Sequence, residues 1–361
     1  MFQYAKKIDW VIIACAFLLV VFGLVSIYSS SIRGGDFLNF EKQIIFFVAS
    51  IFLMAIFTVF DWRMIRDNPY NIVIFYLICV VALLGLLFFG PVIRGTKGWY
   101  KLGPVNIDPV EITKVILIIL LAKYFSKRHV EMYNLKHILL SGIYVLLPSL
   151  LIFRQPNFGS AMMLVFLWIG ILVISGIKLR HFILLTLCGI LILTISWFFL
   201  LQNYQKERIL SFLIPDIEPL GISWNQNQAK IAIGSGGILG KGFSKGSQAR
   251  YGFLPEPQND FIFAAIAEEF GLVGVSILFS LFIILIWRIM KIAIDAESNF
   301  PRLFASGFVI LIVAQLFVHI GMNLGVLPVI GISLPFVSYG GSGLISCFVC
   351  LGILENIKIM K

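Results

Sequence analysis

The feature that most constrains this chain is a series of apolar runs. They fall near residues 10–30, 43–60, 70–90, 109–125, 137–153, 159–176, 181–201, 270–290, 303–327 and 341–358. Each approaches the roughly 20 residues a helix needs to cross a bilayer, where every backbone N–H and C=O has to be satisfied within the segment. The runs are unbroken rather than alternating, which excludes a transmembrane β-barrel. With 60% apolar and 13% charged residues over 361 positions, the chain is not a soluble enzyme, a disordered chain or a secreted disulfide scaffold. The expected fold class is all-α: a polytopic membrane bundle of about ten transmembrane helices, with residues 1–361 as one membrane domain.

Net charge is +10. In a soluble chain this would suggest nucleic acid; here the positive-inside bias of membrane loops accounts for it, and no nucleic-acid partner is expected. With the N-terminus in the cytoplasm, the short inside segments hold fifteen Lys and Arg, from Lys6 and Lys7 to Lys358 and Lys361. The short outside loops then hold six: Arg33, Lys42, Arg94, Lys97, Lys101 and Arg154. This bias predicts cytoplasmic termini and a long extracytoplasmic loop over 202–259. The first run, from Trp10 to about Tyr28, is longer than a signal-peptide core and no A-x-A site follows, so it is expected to remain as the first helix. Cys15, Cys79, Cys188, Cys347 and Cys350 all lie in apolar runs and are expected to pack rather than to bind metal or cycle redox states.

Three clusters could carry chemistry. Asp108-Pro109-Val110-Glu111 opens the fourth run with an N-cap aspartate, proline at N1 and an acid at N3, the pattern of a capping box. Lys114 follows on the same helical face. A lysine just inside a membrane costs about 3 kcal/mol on insertion scales unless it is paired or hydrated. Glu111 is therefore expected to cap the helix, to pair with Lys114, or to do both. Asp260 heads a stretch to Met290 that measures ~45 Å as one helix, more than the hydrocarbon core. Asp260 is thus expected above the membrane, with Gly271 near the entry point. Glu268 and Glu269 fall near the interface, as structural hydrogen-bonding groups. For Asp260, helix capping and a chemical role both stay open. The glycine-rich stretch 234–246, beside Lys241, Lys245 and Arg250, could offer backbone N–H groups to a phosphate or serve as a linker. It does not match a nucleotide P-loop.

Together these segments resemble one family. Arg208-Ile209, Gly234-Ser235-Gly236-Gly237 with Gly240-Lys241-Gly242, and Pro255-Glu256 with Asp260-Phe261-Ile262-Phe263 and Glu268-Glu269 look like the SEDS family (shape, elongation, division, sporulation). Asn323-Leu324-Gly325-Val326-Leu327-Pro328, Leu334-Pro335-Phe336-Val337-Ser338-Tyr339-Gly340-Gly341-Ser342, and Pro109-Val110-Glu111 with Lys114 agree. The resemblance covers nearly the whole chain. Three positions depart from the family pattern: Asn157 where an acid is usual, Asn259 where Thr is frequent, and Ser342-Gly343 where two serines are frequent. Leu327-Pro328, Leu334-Pro335-Phe336 and the short carboxyl tail are more similar to the elongation branch than to the division branch.

The resemblance implies a peptidoglycan glycosyltransferase in the cytoplasmic membrane of a bacterium. It would polymerise lipid II into a growing glycan strand on the outer face, paired with a class B penicillin-binding protein. The donor sugar leaves as a lipid pyrophosphate, so the reaction needs a base near the attacking hydroxyl and positive charge near the pyrophosphate. On this resemblance Asp260 is the base or hydroxyl-orienting group. Arg208, Lys241 and Lys114 are the candidates for pyrophosphate or lipid-head contact, and Glu111 and Glu256 are polar residues of the same site. No cofactor is expected. A divalent cation bridging the pyrophosphate stays open, although the chain shows no ligand cluster for one. Two other classes remain in view: a lipid II flippase, and a non-enzymatic scaffold of a cell-wall synthesis complex.

Overall fold

The computed structural model describes residues 7–60, 69–92, 96–103, 105–128, 135–199, 201, 206–207, 210, 212 and 222–360. The chain runs through α1 (Trp10–Gly34), α2 (Leu38–Val59) and α3 (Pro69–Phe89) into a hairpin of β1 (Tyr100–Leu102) and β2 (Val105–Ile107). It continues with α4 (Pro109–Ser126), α5 (Leu135–Arg154), α6 (Phe158–Ile174) and α7 (Leu179–Phe199). The short helices α8 (Ile222–Gly236) and α9 (Ser247–Tyr251) lead to α10 (Ile262–Ile294), α11 (Asn299–Leu324) and α12 (Gly341–Ile359).

Each expected apolar run is a helix, and eight of the ten are long and apolar enough to cross a membrane. The others are α6, with 17 residues, and α4, whose 18 residues include Glu111, Lys114 and Lys123. The architecture is that of a polytopic helical membrane protein. The antiparallel hairpin, paired Tyr100↔Ile107 and Leu102↔Val105, is an addition to the all-α expectation. It delivers the chain to the start of α4.

Lipid gives apolar side chains no reason to leave it, so helices associate through packing and internal polar contacts. The layering follows that rule. Helix α4 is buried over most of its circumference and packs with α3, α11 and α12. Phe125, Phe282, Phe304 and Phe308 are fully buried in the apolar core. Helix α7 is apolar all round, yet His181 alone among its described residues is buried; the rest faces outward, as suits a helix on the lipid side. Cys188 lies on this helix and is exposed, whereas Cys15, Cys79, Cys347 and Cys350 are buried. The packing expected of all five therefore holds for four.

The segment that leads into α1 and the last turn of α12 meet at one end of the bundle. Lys7 Nζ donates to the Ile359 carbonyl at 3.1 Å. The Asp9 carboxylate accepts from Arg288 of α10 at 2.6 Å and from Lys358 of α12 at 2.9 Å. Burial alone would raise the Asp9 pKa, but these two cations hold its carboxyl below the usual range. The start of α10 at Ile262, 26 residues or ~39 Å of helix away from Arg288, lies at the opposite end.

Helix α10 is broken at Gly271, whose φ of 62° and ψ of −160° lie outside helical space. A break orphans backbone groups, and a membrane protein has to repair that internally. The glycine-rich stretch makes the repair. Gly237 C=O accepts the Leu272 N–H at 2.9 Å and Ile238 C=O accepts that of Val273 at 3.1 Å. Lys241 and Gly242 N–H groups donate to Glu268 and Glu269 carbonyls at 2.9 and 3.0 Å. Two backbones this close leave no room for Cβ atoms: one on Gly271 would meet Gly240 N and Ile238 O, and one on Gly240 would meet the Glu269 carbonyl. The stretch is thus a splint on α10. The linker expectation falls, and the Lys241 and Gly242 N–H groups that might have cradled phosphate are already engaged.

Candidate active site

Asp260 is half-buried in the turn that precedes α10. At the head of that helix Phe261 holds the N-cap position, and the Phe261 side chain makes no cap hydrogen bond. The Asp260 carboxylate faces Gly331, where an added Cβ would stand 3.7 Å from one carboxylate oxygen and 4.0 Å from the other.

The turn is fixed by the segment that follows α11. Tyr339 N–H donates to the Gln258 carbonyl at 2.9 Å. Ser338 Oγ donates to the Asn259 carbonyl at 3.0 Å and accepts from Leu334 N–H at 2.9 Å. Helix α2 braces the same junction. Asn39 donates to Gln258 Oε1 at 2.8 Å, and buried Gln43 donates to the Ser338 carbonyl at 3.3 Å and accepts from Gly340 N–H at 3.1 Å. Glu256 holds a left-handed backbone with φ 44°, and its carboxylate accepts from Asn259 Nδ2 at 3.0 Å. It shapes the turn that leads through Asn259 into Asp260.

The Glu111–Lys114 pair is formed, with Nζ 2.6 Å from Oε1 and side-chain exposures of 3% for Lys114 and 16% for Glu111. The capping box is only half made. Asp108 Oδ1 accepts from Val110 N–H at 2.8 Å, but the Asp108 N–H donates to Ser342 Oγ at 2.9 Å rather than to Glu111. Ser342 of α12 takes the place the box gives to the acid at N3, which frees Glu111 for Lys114. Burial, and then the nearby Glu111 charge, raise the Asp108 pKa to about 7. Gly343 lies against Glu111, with an added Cβ 3.8 Å from its carboxylate. The segment 331–343 therefore touches both clusters, Asp260 at its start and Asp108 with Glu111 at its end.

Lys241 stands elsewhere. Its Nζ donates to Glu268 and to Ser247 Oγ, both at 2.8 Å, and 30% of its side chain is exposed. Glu268 is fully buried and also accepts from Gln248 and Ala249 N–H at 2.9 and 3.2 Å. It thereby satisfies orphan donors of the short α9. Glu269 accepts from Ser29 Oγ. The structural roles expected for Glu268 and Glu269 match these contacts. Arg208 lies outside the described residues. Asn157 caps α6 by accepting from Ser160 N–H at 3.2 Å. Among the described residues, no group of three His, Cys, Asp or Glu side chains is placed to hold a metal ion.

Motif reading did not assign roles to Gln43, Gln258, Asn323, Ser338 and Ser342. The available signal was an amide or hydroxyl inside, or at the mouth of, an apolar run, where a polar group is costly unless it is bonded.

The FtsW/RodA/SpoVE profile, described as a cell cycle protein, matches residues 9–361. Peptidoglycan glycosyltransferase MrdB of Escherichia coli K12 is 36% identical over 340 residues, covering 94% of this chain and 90% of that protein. The probable peptidoglycan glycosyltransferase FtsW of Haemophilus influenzae is 34% identical over 367 residues, covering 98% and 90%. A chain from a peptidoglycan synthase complex that coordinates polymerization and crosslinking is similar in structure, with a TM-score of 0.82, 28% identity and 97% of each chain covered. The match over almost the full length, together with a fold and motifs that agree, places this chain in the SEDS family of FtsW, RodA and SpoVE.

Proposed function

We propose that the chain is a peptidoglycan glycosyltransferase that polymerises lipid II on the outer face of the cytoplasmic membrane. The observation that carries this reading is the setting of Asp260. It is a half-buried carboxylate at the end of the bundle opposite the Asp9–Arg288–Lys358 cluster, in a turn locked by the 331–343 segment, with its oxygens close to Gly331. In the reaction a sugar hydroxyl attacks the anomeric carbon of the donor. The new C–O bond forms, the bond to the pyrophosphate breaks, and the lipid pyrophosphate departs with the electron pair. Asp260 takes the hydroxyl proton. General-base help of this kind contributes about 10²–10⁴-fold.

Charge for the leaving group comes from Lys241, Lys114 and Arg208. Lys241 and Lys114 already hold carboxylates, so each would share its ammonium between carboxylate and phosphate. Lys241 is the more accessible of the two. A divalent ion, where one takes part, would draw its ligands from the pyrophosphate and water. Glu111 and Glu256 serve by holding Lys114 and the Asp260 turn.

The partner is a class B penicillin-binding protein, a reading supported by the likeness to a chain of a synthase complex. Within the family we assign the chain to cell elongation and rod-shape maintenance, the RodA branch. Leu327-Pro328 and Leu334-Pro335-Phe336 support that choice over the division branch. A flippase would need a polar path through the bilayer midplane. Among the described residues, Asp, Glu, Lys, Arg and His stay near the ends of the apolar helices. The test is polymerisation of lipid II by the purified chain with its partner. Glycan polymer is expected. Lipid II crossing proteoliposome membranes with no polymer formed would overturn the reading.

A further inference from the structure

Asn323 lies at the end of α11, fully buried, and its carboxamide makes three bonds. Oδ1 accepts the Ala264 N–H at 3.3 Å, while Nδ2 donates to the Asp260 carbonyl at 2.9 Å and to the His319 carbonyl at 2.7 Å. Ala264 belongs to the first turn of α10, where backbone N–H groups lack intrahelical partners and Phe261 supplies no side-chain cap. Asn323 thus caps α10 from a different helix and holds the backbone of Asp260 in the same act.

One turn earlier on α11, His319 is also fully buried. Its Nδ1 lies 2.7 Å from the Ile332 carbonyl. A carbonyl only accepts, so the proton is on Nδ1, and Nε2 is a buried acceptor with no hydrogen-bond partner among the described residues. Ile332 follows Gly331, the residue that the Asp260 carboxylate faces. One face of α11 therefore grips both sides of the same cleft: the turn that carries Asp260, and the loop opposite its carboxylate.

We propose that Asn323 is a positioning residue for Asp260, acting with His319 to set the gap between that carboxylate and Gly331. The inference rests on the reading of Asp260 as the base. Asparagine suits the place because one short side chain supplies an acceptor and two donors. Aspartate would turn an oxygen toward two carbonyls, and an apolar residue would leave all three groups bare. A base displaced by about 1 Å can lose as much as 10²-fold in rate, with little effect on how substrate is held.

The experiment measures lipid II polymerisation by the purified complex with the class B partner, per folded molecule, for Asn323→Ala and Asn323→Asp. Phe304→Leu, near the far end of α11, serves as a control for lost stability alone. The expected result is a kcat lower by about 10- to 100-fold, with KM within about threefold of the parent, while Phe304→Leu keeps its kcat. A normal kcat, a change confined to KM, or an equal kcat loss in Phe304→Leu would overturn the proposal. If neither Asn323 variant folds, His319→Gln and His319→Leu decide. Gln can still donate to the Ile332 carbonyl and should retain most of the kcat that Leu loses; equal values would refute the clamp. Polymer from Asp260→Asn, in contrast, would remove the catalytic reading itself.

Discussion

Replacing Glu111 by alanine should cost this chain more stability than replacing Glu111 and Lys114 together. In the native pair Nζ and Oε1 are 2.6 Å apart, with Lys114 only 3% exposed. Removing the acid strands an ammonium in a site that water hardly reaches, which typically costs about 3–5 kcal/mol. At roughly 2 °C per kcal/mol for a chain of this size, the thermal midpoint should fall by about 6–10 °C. Lys114→Ala should cost less, because Glu111 at 16% exposure keeps some access to solvent. The double variant removes both charges and loses no cap, since Asp108 and Ser342 satisfy the Val110 and Asp108 N–H groups. The assay is the thermal midpoint of detergent-solubilised single and double variants, read by size-exclusion recovery after heating. Strictly additive losses would refute the pairing argument and return Glu111 to the role of a helix cap.

Three further expectations follow from the same structure. Asp108 has a folded pKa raised to about 7 by burial and the Glu111 charge, above the ~3.9 of an unfolded aspartate. Its stabilising share is therefore complete below pH ~4 and lost as pH rises towards ~7; Asp108→Asn should flatten that fall and raise the thermal midpoint at pH 8. Gly271→Ala should prevent stable insertion or halve its yield, since the backbone there has φ 62° and a Cβ would strike the 238–240 backbone; normal yield and midpoint would disprove the splint. For topology, a cysteine at Tyr251, which is 64% exposed, should react with an impermeant maleimide on intact cells; labelling only after lysis would invert the bundle.

Much of the fold was legible because a bilayer leaves the backbone few options. Each long apolar run had to be a helix, and most helix boundaries fell within a few residues of the runs that predicted them. The Asp108 cap and the Glu111–Lys114 pair were legible because they are local, set by spacings within one turn. What could not be read was contact between distant segments. Nothing in Ser342 announces that it would take the Asp108 N–H, and that exchange is what unmade the capping box. The glycine-rich stretch looked like a phosphate cradle or a linker because its true partner, the broken backbone at Gly271, lies well beyond it in the chain. Asn323 was visible as part of a motif, but its bonds to Asp260 and Ala264 depend on how α11 packs against α10.

The most direct test of the account is Asp260→Asn, assayed as the purified complex with its class B partner on lipid II, with products resolved by chain length. The change is nearly isosteric, and asparagine and aspartate cap helices about equally, so folding, insertion and complex formation should be unaltered. Only the proton affinity of the carboxylate is lost, and with it the ~10²–10⁴-fold that a general base contributes. The account predicts an intact complex that makes little or no glycan polymer, with Asp260→Glu recovering little because its carboxylate is displaced by a methylene. Near-normal polymer from the asparagine variant would contradict it.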